Sequence, residues 1–163
     1  MKINKVVVIG SGTMGSGIAA QLCNANIPVT LLDLKTEISE KARERILKSR
    51  PPLLVDKSKI NNINVGNIND NFNEVGEADW IVEAVVERID IKHNIYEKIF
   101  KERKKGSIVL KYIFYSNQST FGKTFKWRKK RLLYNSLFQS SEIYGFIRNC
   151  EKLSLIHISE PTR

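Results

Sequence analysis

Over the first 109 residues, hydrophobic positions alternate between two rhythms, short unbroken runs and helical repeats. Val6–Ile9 is an unbroken β-branched run, the pattern of a strand buried on both faces, and Ile18, Ala19 and Leu22 then recur at helical spacing. Residues 27–33 repeat the strand pattern. Thr36 is placed to cap a helix that carries Glu37, Ile38, Ala42, Ile46 and Leu47 and is stopped by Pro51 and Pro52. Residues 53–76 are polar and Asn-rich, with a short strand predicted at 63–68 and a helical turn at 74–78. The buried-strand pattern returns at 79–87. A helix with Ile91, Ile95, Ile99 and Phe100 near one face is predicted at 90–101, and another strand begins at 107–109. The order βαβα(β)βαβ, with helix-length crossovers, predicts an α/β fold with a doubly wound parallel sheet and right-handed connections.

The first strand runs directly into Gly10, Gly12 and Gly15, and the helical pattern starts there. Such a turn is informative only when a strand precedes it, a helix follows, and an acid ends the next strand. All three conditions hold, because Asp33 closes the second strand 18 residues after Gly15. The sheet is therefore Rossmann-type. Gly10 permits the tight turn, Gly12 lets backbone N–H groups approach a diphosphate at the helix N-terminus, and Gly15 lets helix and strand pack closely. Asp33 is placed to take both adenosine-ribose hydroxyls and to repel a 2′-phosphate, which selects NAD over NADP.

Composition changes this picture at one end only. The chain has 163 residues and a net charge of +10, but residues 1–109 carry +3 and residues 110–163 carry +7. A basic tail with interleaved aromatics, here 126–131 with Trp127 and Tyr134, admits an RNA-binding reading, which would require salt-sensitive binding independent of residues 1–109. No stretch of about 18 consecutive apolar residues is present, and Met1 leads straight into a strand. The expectation is a cytoplasmic protein with no membrane or nucleic-acid partner. Cys23 and Cys150 form no metal or redox spacing and read as unpaired thiols; no metal site is expected. His93 lies on a charged helix and reads as solvated.

The glycine turn at 9–17 together with Trp80-Ile-Val-Glu-Ala-Val-Val-Glu at 80–87 resembles the NAD-binding domain of 3-hydroxyacyl-CoA dehydrogenases, including the type fused to enoyl-CoA hydratase. The resemblance covers about residues 1–109. It implies that Gly10, Ser11, Gly12, Thr13, Met14 and Gly15 hold the pyrophosphate and Asp33 the ribose. It also implies that Glu87 and Lys92, five positions apart, lie near the nicotinamide half. A coenzyme A contact on the second helix and a 3-hydroxyacyl-CoA substrate are implied too, as is a homodimer for the intact enzyme.

From residue 110 the pattern collapses, and the C-terminal third shows no native-like periodicity. A displaced reading frame accounts for this. Residues 109–118, written with permitted codons and read one base later, become Ser-Ser-Asn-Thr-Ser-Ser-Ile-Pro-Ile, the segment that follows this strand in the family. Residues 135–151 likewise admit Thr-His-Phe-Phe-Asn-Pro-Val-Arg-Tyr-Met-Gly-Leu-Leu-Glu-Ile-Val, which looks like the catalytic segment carrying the paired histidine and glutamate. Residues 153–163 translate a string that looks like a transposase sequencing adapter, so His157 has no role.

The expected organisation is an NAD-binding Rossmann domain at 1–109, truncated, then an out-of-frame catalytic segment at 110–152 and an adapter-derived tail at 153–163. The function implied is the NAD-binding part of an enzyme that moves hydride from L-3-hydroxyacyl-CoA to NAD in fatty acid β-oxidation. No catalytic residue is expected in the chain as written, which is expected to be inactive. The alternative is a non-catalytic dinucleotide-binding module.

Overall fold

Four residues that carry no polar side-chain atom form the middle of the sheet. Strand β1 (Val6–Ile9) is completely buried, and its alternating side chains feed two separate cores. Val6 and Val8 pack with Leu22, Leu31, Ile46 and Trp80 on one face, whereas Val7 and Ile9 pack with Leu32, Ile81, Ile95 and Ile99 on the other. A strand with helices on both faces has no solvent side, so its sequence reads as a continuous apolar run. The computed structural model describes residues 3–86 and 88–110, and the backbone alone of 111–112 and 132–135.

The elements follow the predicted succession. After β1 come α1 (Thr13–Asn24), β2 (Val29–Asp33), α2 (Thr36–Lys48), β3 (Ile63–Asn67), α3 (Glu74–Glu77), β4 (Trp80–Glu83), α4 (Ile89–Glu102), β5 (Ile108–Tyr112) and β6 (Leu132–Asn135). All pairings are parallel, and the sheet order is β3-β2-β1-β4-β5-β6. The chain moves outward from β1 to β3, then returns to the opposite side of β1 as β4. That reversal opens a crevice at the carboxyl ends of β1 and β4, where sheets of this kind take ligands.

Several local expectations differ from the structure. Thr36 is the first residue of α2 rather than its cap; Lys35 precedes the helix without a side-chain cap, and the Thr36 hydroxyl instead accepts from Asn67 Nδ2 at 3.0 Å. The polar stretch at 53–62 holds a 3₁₀ turn, Lys57–Asn62, which Asp56 does cap by accepting from the Ser58 N–H at 2.9 Å. Strand β4 stops at Glu83, four residues before the end of its apolar pattern, and the Val85 N–H turns back to the Glu83 carboxylate. His93 is half-buried rather than solvated. The C-terminal third, read as lacking any element, supplies β6 and the end of β5. An open sheet edge offers unpaired N–H and C=O groups to any extended segment, so pairing there needs little from the segment's own pattern. Residues 113–131 and 136–163 lie outside the described part.

At the amino end of the sheet, Asp79 ties three elements together. Its Oδ2 accepts the N–H groups of Asn4 at 2.7 Å and Lys5 at 3.2 Å, and Oδ1 accepts from the Lys104 ammonium at 2.5 Å. Burial would by itself raise this carboxyl, but the Lys104 ammonium and the two amides outweigh it and hold Asp79 below the usual 3.8. A depressed acid contributes its stability in full above its unfolded pKa and loses it as pH falls through the lower folded value. Replacing Asp79 with Asn should therefore lower stability by about 1–3 kcal/mol near neutral pH. The difference should shrink once pH drops below 3.8. Urea unfolding of both proteins at pH 7 and at acid pH measures this; an equal difference at both would reject the assignment.

Candidate functional site

Two glycines allow the end of β1 and the start of α1 to come together. Gly10 has φ +101°, a conformation closed to most side chains, and a Cβ there would lie 2.5 Å from the Ala84 carbonyl oxygen. A Cβ on Gly15 would lie 1.8 Å from the Gly10 carbonyl oxygen. Helix and strand are thus packed backbone to backbone. Gly12 is different, since its missing Cβ has nothing within 4 Å and opens on solvent.

Gly12 is also the N-cap of α1. It makes no side-chain cap bond, and the first turn carries no acid. The leading amides of a 12-residue helix, together with its positive dipole end, therefore face the crevice uncompensated. Thr13 is exposed and Met14 half-buried beside them. A helix end of this kind attracts anions, and no side chain blocks the approach to Gly12.

Across the loop, Asp33 ends β2 with its carboxylate half-buried. Oδ2 accepts both the N–H of Ser11 at 2.7 Å and the Ser11 hydroxyl at 2.6 Å, while Oδ1 accepts the Leu34 N–H at 2.8 Å. Ser11 is buried, and its carbonyl accepts from Arg45 Nη2 at 2.7 Å and from the Ser16 hydroxyl at 2.9 Å. The loop is therefore fixed from β2, α1 and α2 before any ligand arrives. Sequence reading identified Ser11 only as part of the loop and missed Arg45 altogether. Arg45 sits on the exposed side of α2, where an arginine carries no signal of reaching back to a glycine turn.

On the other side of the crevice, Glu87 lies outside the described residues. Lys92 does not face solvent: it is fully buried, and its ammonium contacts both oxygens of Glu83 at 3.1 and 3.2 Å. The Tyr96 hydroxyl donates to Glu83 Oε2 at 2.8 Å, and the Val85 N–H donates to Oε1 at 2.9 Å. Glu83 and Tyr96 were missed by sequence reading, although a signal existed. An acid inside a buried strand run requires a partner, and Lys92 and Tyr96 recur at helical spacing beside Ile95 and Ile99.

A groove of about 370 Å³ lies at the carboxyl end of α2, lined by Ile46, Lys48, Ser49, Arg50, Leu54 and Lys57 among others. Its rim is cationic and its floor apolar. Cys23 is buried in α1, where burial pushes its thiol up to about 12 and leaves it inert. Cys150 lies outside the described residues. Among the described residues, no helix is long and apolar enough to cross a membrane.

A parallel sheet of order 3-2-1-4-5-6, an uncapped glycine-lined helix end at its switch point and an acid closing β2 define a dinucleotide-binding α/β domain. The family model of the 3-hydroxyacyl-CoA dehydrogenase NAD binding domain matches residues 5–123, so the chain belongs to that oxidoreductase family and its cofactor is NAD. The match runs 14 residues past position 109, where the sequence resemblance was placed to end. A probable 3-hydroxyacyl-CoA dehydrogenase of Deinococcus radiodurans is 42% identical over 116 residues, covering 67% of this chain and 34% of the relative. A putative fatty acid oxidation complex trifunctional enzyme of Rickettsia felis is 38% identical over 126 residues, covering 73% of this chain and 17% of the relative. The chain thus spans about a third or less of the length of these relatives. Among solved structures, the dehydrogenase part of multifunctional enzyme 1 from Caenorhabditis elegans shares the fold with a TM-score of 0.65. It is 22% identical, with 88% of this chain and 34% of that one covered.

The glycine geometry yields a direct test. Gly15→Ala should destabilise the fold by about 2 kcal/mol or more, because backbone rather than a flexible side chain blocks the methyl group. Gly12→Ala, with nothing within 4 Å, should unfold at the wild-type midpoint. Thermal or urea denaturation of the two variants decides it, and equal stabilities would show that α1 does not rest on the Gly10 carbonyl.

Proposed function

We propose that residues 1–109 bind NAD as the cofactor half of a 3-hydroxyacyl-CoA dehydrogenase. In this reading Gly10, Ser11, Gly12, Thr13, Met14 and Gly15 surround the pyrophosphate and Asp33 receives the adenosine ribose. Glu87 and Lys92 belong to the nicotinamide half. The observation that carries the proposal is the uncapped amino end of α1, open at Gly12 and facing an acid already oriented by Ser11. Oδ1 of Asp33 accepts only the Leu34 N–H among the described contacts, so it retains acceptor capacity for a ribose hydroxyl.

The groove at the end of α2 suits the anionic part of an acyl-CoA. Lys48, Arg50 and Lys57 supply charge at its rim, and Ile46 and Leu54 supply an apolar floor. The intact enzyme would move hydride from the 3-carbon of an L-3-hydroxyacyl-CoA to NAD, as one step of fatty acid oxidation. That reaction needs a base for the hydroxyl proton and a group to orient the base. Both are encoded out of frame beyond residue 109 in our reading, so the polypeptide as written binds cofactor and does not turn over substrate.

Asp33→Ala should weaken NAD binding by about 1–3 kcal/mol and narrow the preference over NADP, as expected for the loss of a charge-assisted hydrogen bond. Titration with both cofactors measures it, and an unchanged preference rejects the role of Asp33. The catalytic part is tested by shifting the reading frame at codons 109–110 and extending the chain to the length of its relatives. NADH formation from 3-hydroxybutyryl-CoA, followed at the nicotinamide absorbance band, should occur only in the repaired and extended protein. Turnover by the chain as written, abolished by Glu87→Ala, would overturn the assignment of the missing acid–base pair.

A further inference from the structure

Between the end of β4 and the buried face of α4 lies a fully buried ionic cluster whose connections lead to the crevice. Glu83, the last residue of β4, pairs with Ile9, the residue immediately before the Gly10 turn. Its carboxylate accepts from Lys92 Nζ at both oxygens, from the Tyr96 hydroxyl and from the Val85 N–H. These contacts match the roughly four acceptor sites of a carboxylate. Lys92 and Glu83 are both 0% exposed, and Tyr96 is 2% exposed. A buried pair of this kind gains little over apolar residues of equal volume, so its worth lies in the geometry it imposes.

That geometry concerns the turn between β4 and α4. The Val85 N–H bond bends the chain back over Glu83, and the Ala84 N–H donates to the Ile9 carbonyl at 2.8 Å. The same Ala84–Val85 peptide lies where a Cβ on Gly10 would be, with Ala84 oxygen at 2.5 Å and Val85 nitrogen at 3.0 Å. The two loops that border the crevice therefore touch at one peptide, and Glu83 sets the position of that peptide. The other border is held independently, since the Gly10 N–H donates to the Leu32 carbonyl at 2.7 Å and Ser11 is tied to Asp33 and Arg45.

We propose that Glu83 and Tyr96 are positioning residues for the nicotinamide half of the site. They hold the Lys92 ammonium beneath the β4–α4 turn and fix that turn against Gly10. This rests on the reading that the segment Ala84–Val86 after β4 borders the nicotinamide half, whereas the adenosine and diphosphate half depends on Asp33 and the α1 amino end. The cluster should accordingly govern affinity for NAD and not for ADP, which lacks the nicotinamide riboside.

The test measures NAD and ADP binding to the 163-residue chain by calorimetry, for wild type, Tyr96→Phe and the double variant Glu83→Gln/Lys92→Met. Tyr96→Phe keeps the ring and removes one hydrogen bond. The double variant removes both charges together and leaves no lone buried ion. NAD affinity should fall about three- to tenfold in Tyr96→Phe, while ADP affinity stays within about twofold. In the double variant the NAD loss should exceed about tenfold, again with ADP retained. Equal losses of NAD and ADP would mean a merely structural cluster and would overturn the proposal, as would unchanged NAD affinity in Tyr96→Phe. Failure of the wild-type chain to bind NAD while folded would instead overturn the cofactor-site reading, and the positioning role with it.

Discussion

The close approach of α1 to the end of β1 is the constraint on which the rest of the crevice depends. With a hydrogen in place of a methyl group, Gly15 rests on the Gly10 carbonyl, and this fixes both where α1 begins and where its amino end points. A helix held even one methyl group further away would aim its free amides past the space beside Gly12. The two other borders then follow from backbone bonds to the same turn, from Leu32 on one side and Ala84 on the other. One short contact between backbones therefore organises three strand ends.

The sheet treats its two ends differently. At the amino end, Asp79 satisfies the N–H groups of Asn4 and Lys5 and a lysine from beyond α4, and Lys5 is further bridged to Glu74 and Glu77. At the carboxyl end, backbone donors are left open at α1, and the polar groups present serve to orient loops. Ser11 joins Asp33, Arg45 and Ser16 in one hydrogen-bonded unit, and Glu83 joins Lys92, Tyr96 and Val85 in another. The physical logic is common to both units. A buried polar group without partners is costly, so once several are satisfied together their relative positions are tightly determined.

The outer strands illustrate how little a sheet edge demands. Strand β5 continues through Tyr112, and β6 joins it in parallel, although the residues concerned show no periodicity that predicts a strand. Interior strands of this protein are specified by side chains buried on two faces, whereas an edge recruits backbone hydrogen-bonding groups, which every non-proline residue has. Pairing at position 132 is for this reason no sign that the basic C-terminal third was selected for this fold.

By itself, the sequence determined the succession of elements, the doubly wound parallel arrangement and the place of the glycine turn between β1 and α1. Val6–Ile9, the three glycines and Asp33 carry this information locally, because burial on two faces, positive φ and an acid at a strand end each restrict residue type at a single position. Only the tertiary structure decided which polar residues serve one another. Arg45 reaches Ser11 across 34 positions and Glu83 meets Lys92 and Tyr96 across a turn, and neither pairing has a spacing rule. It also decided that Lys92 is buried against Glu83, and that Thr36 bonds Asn67 instead of capping α2. Such outcomes depend on the distance between elements that pack only after the chain has folded, and no local pattern records that distance.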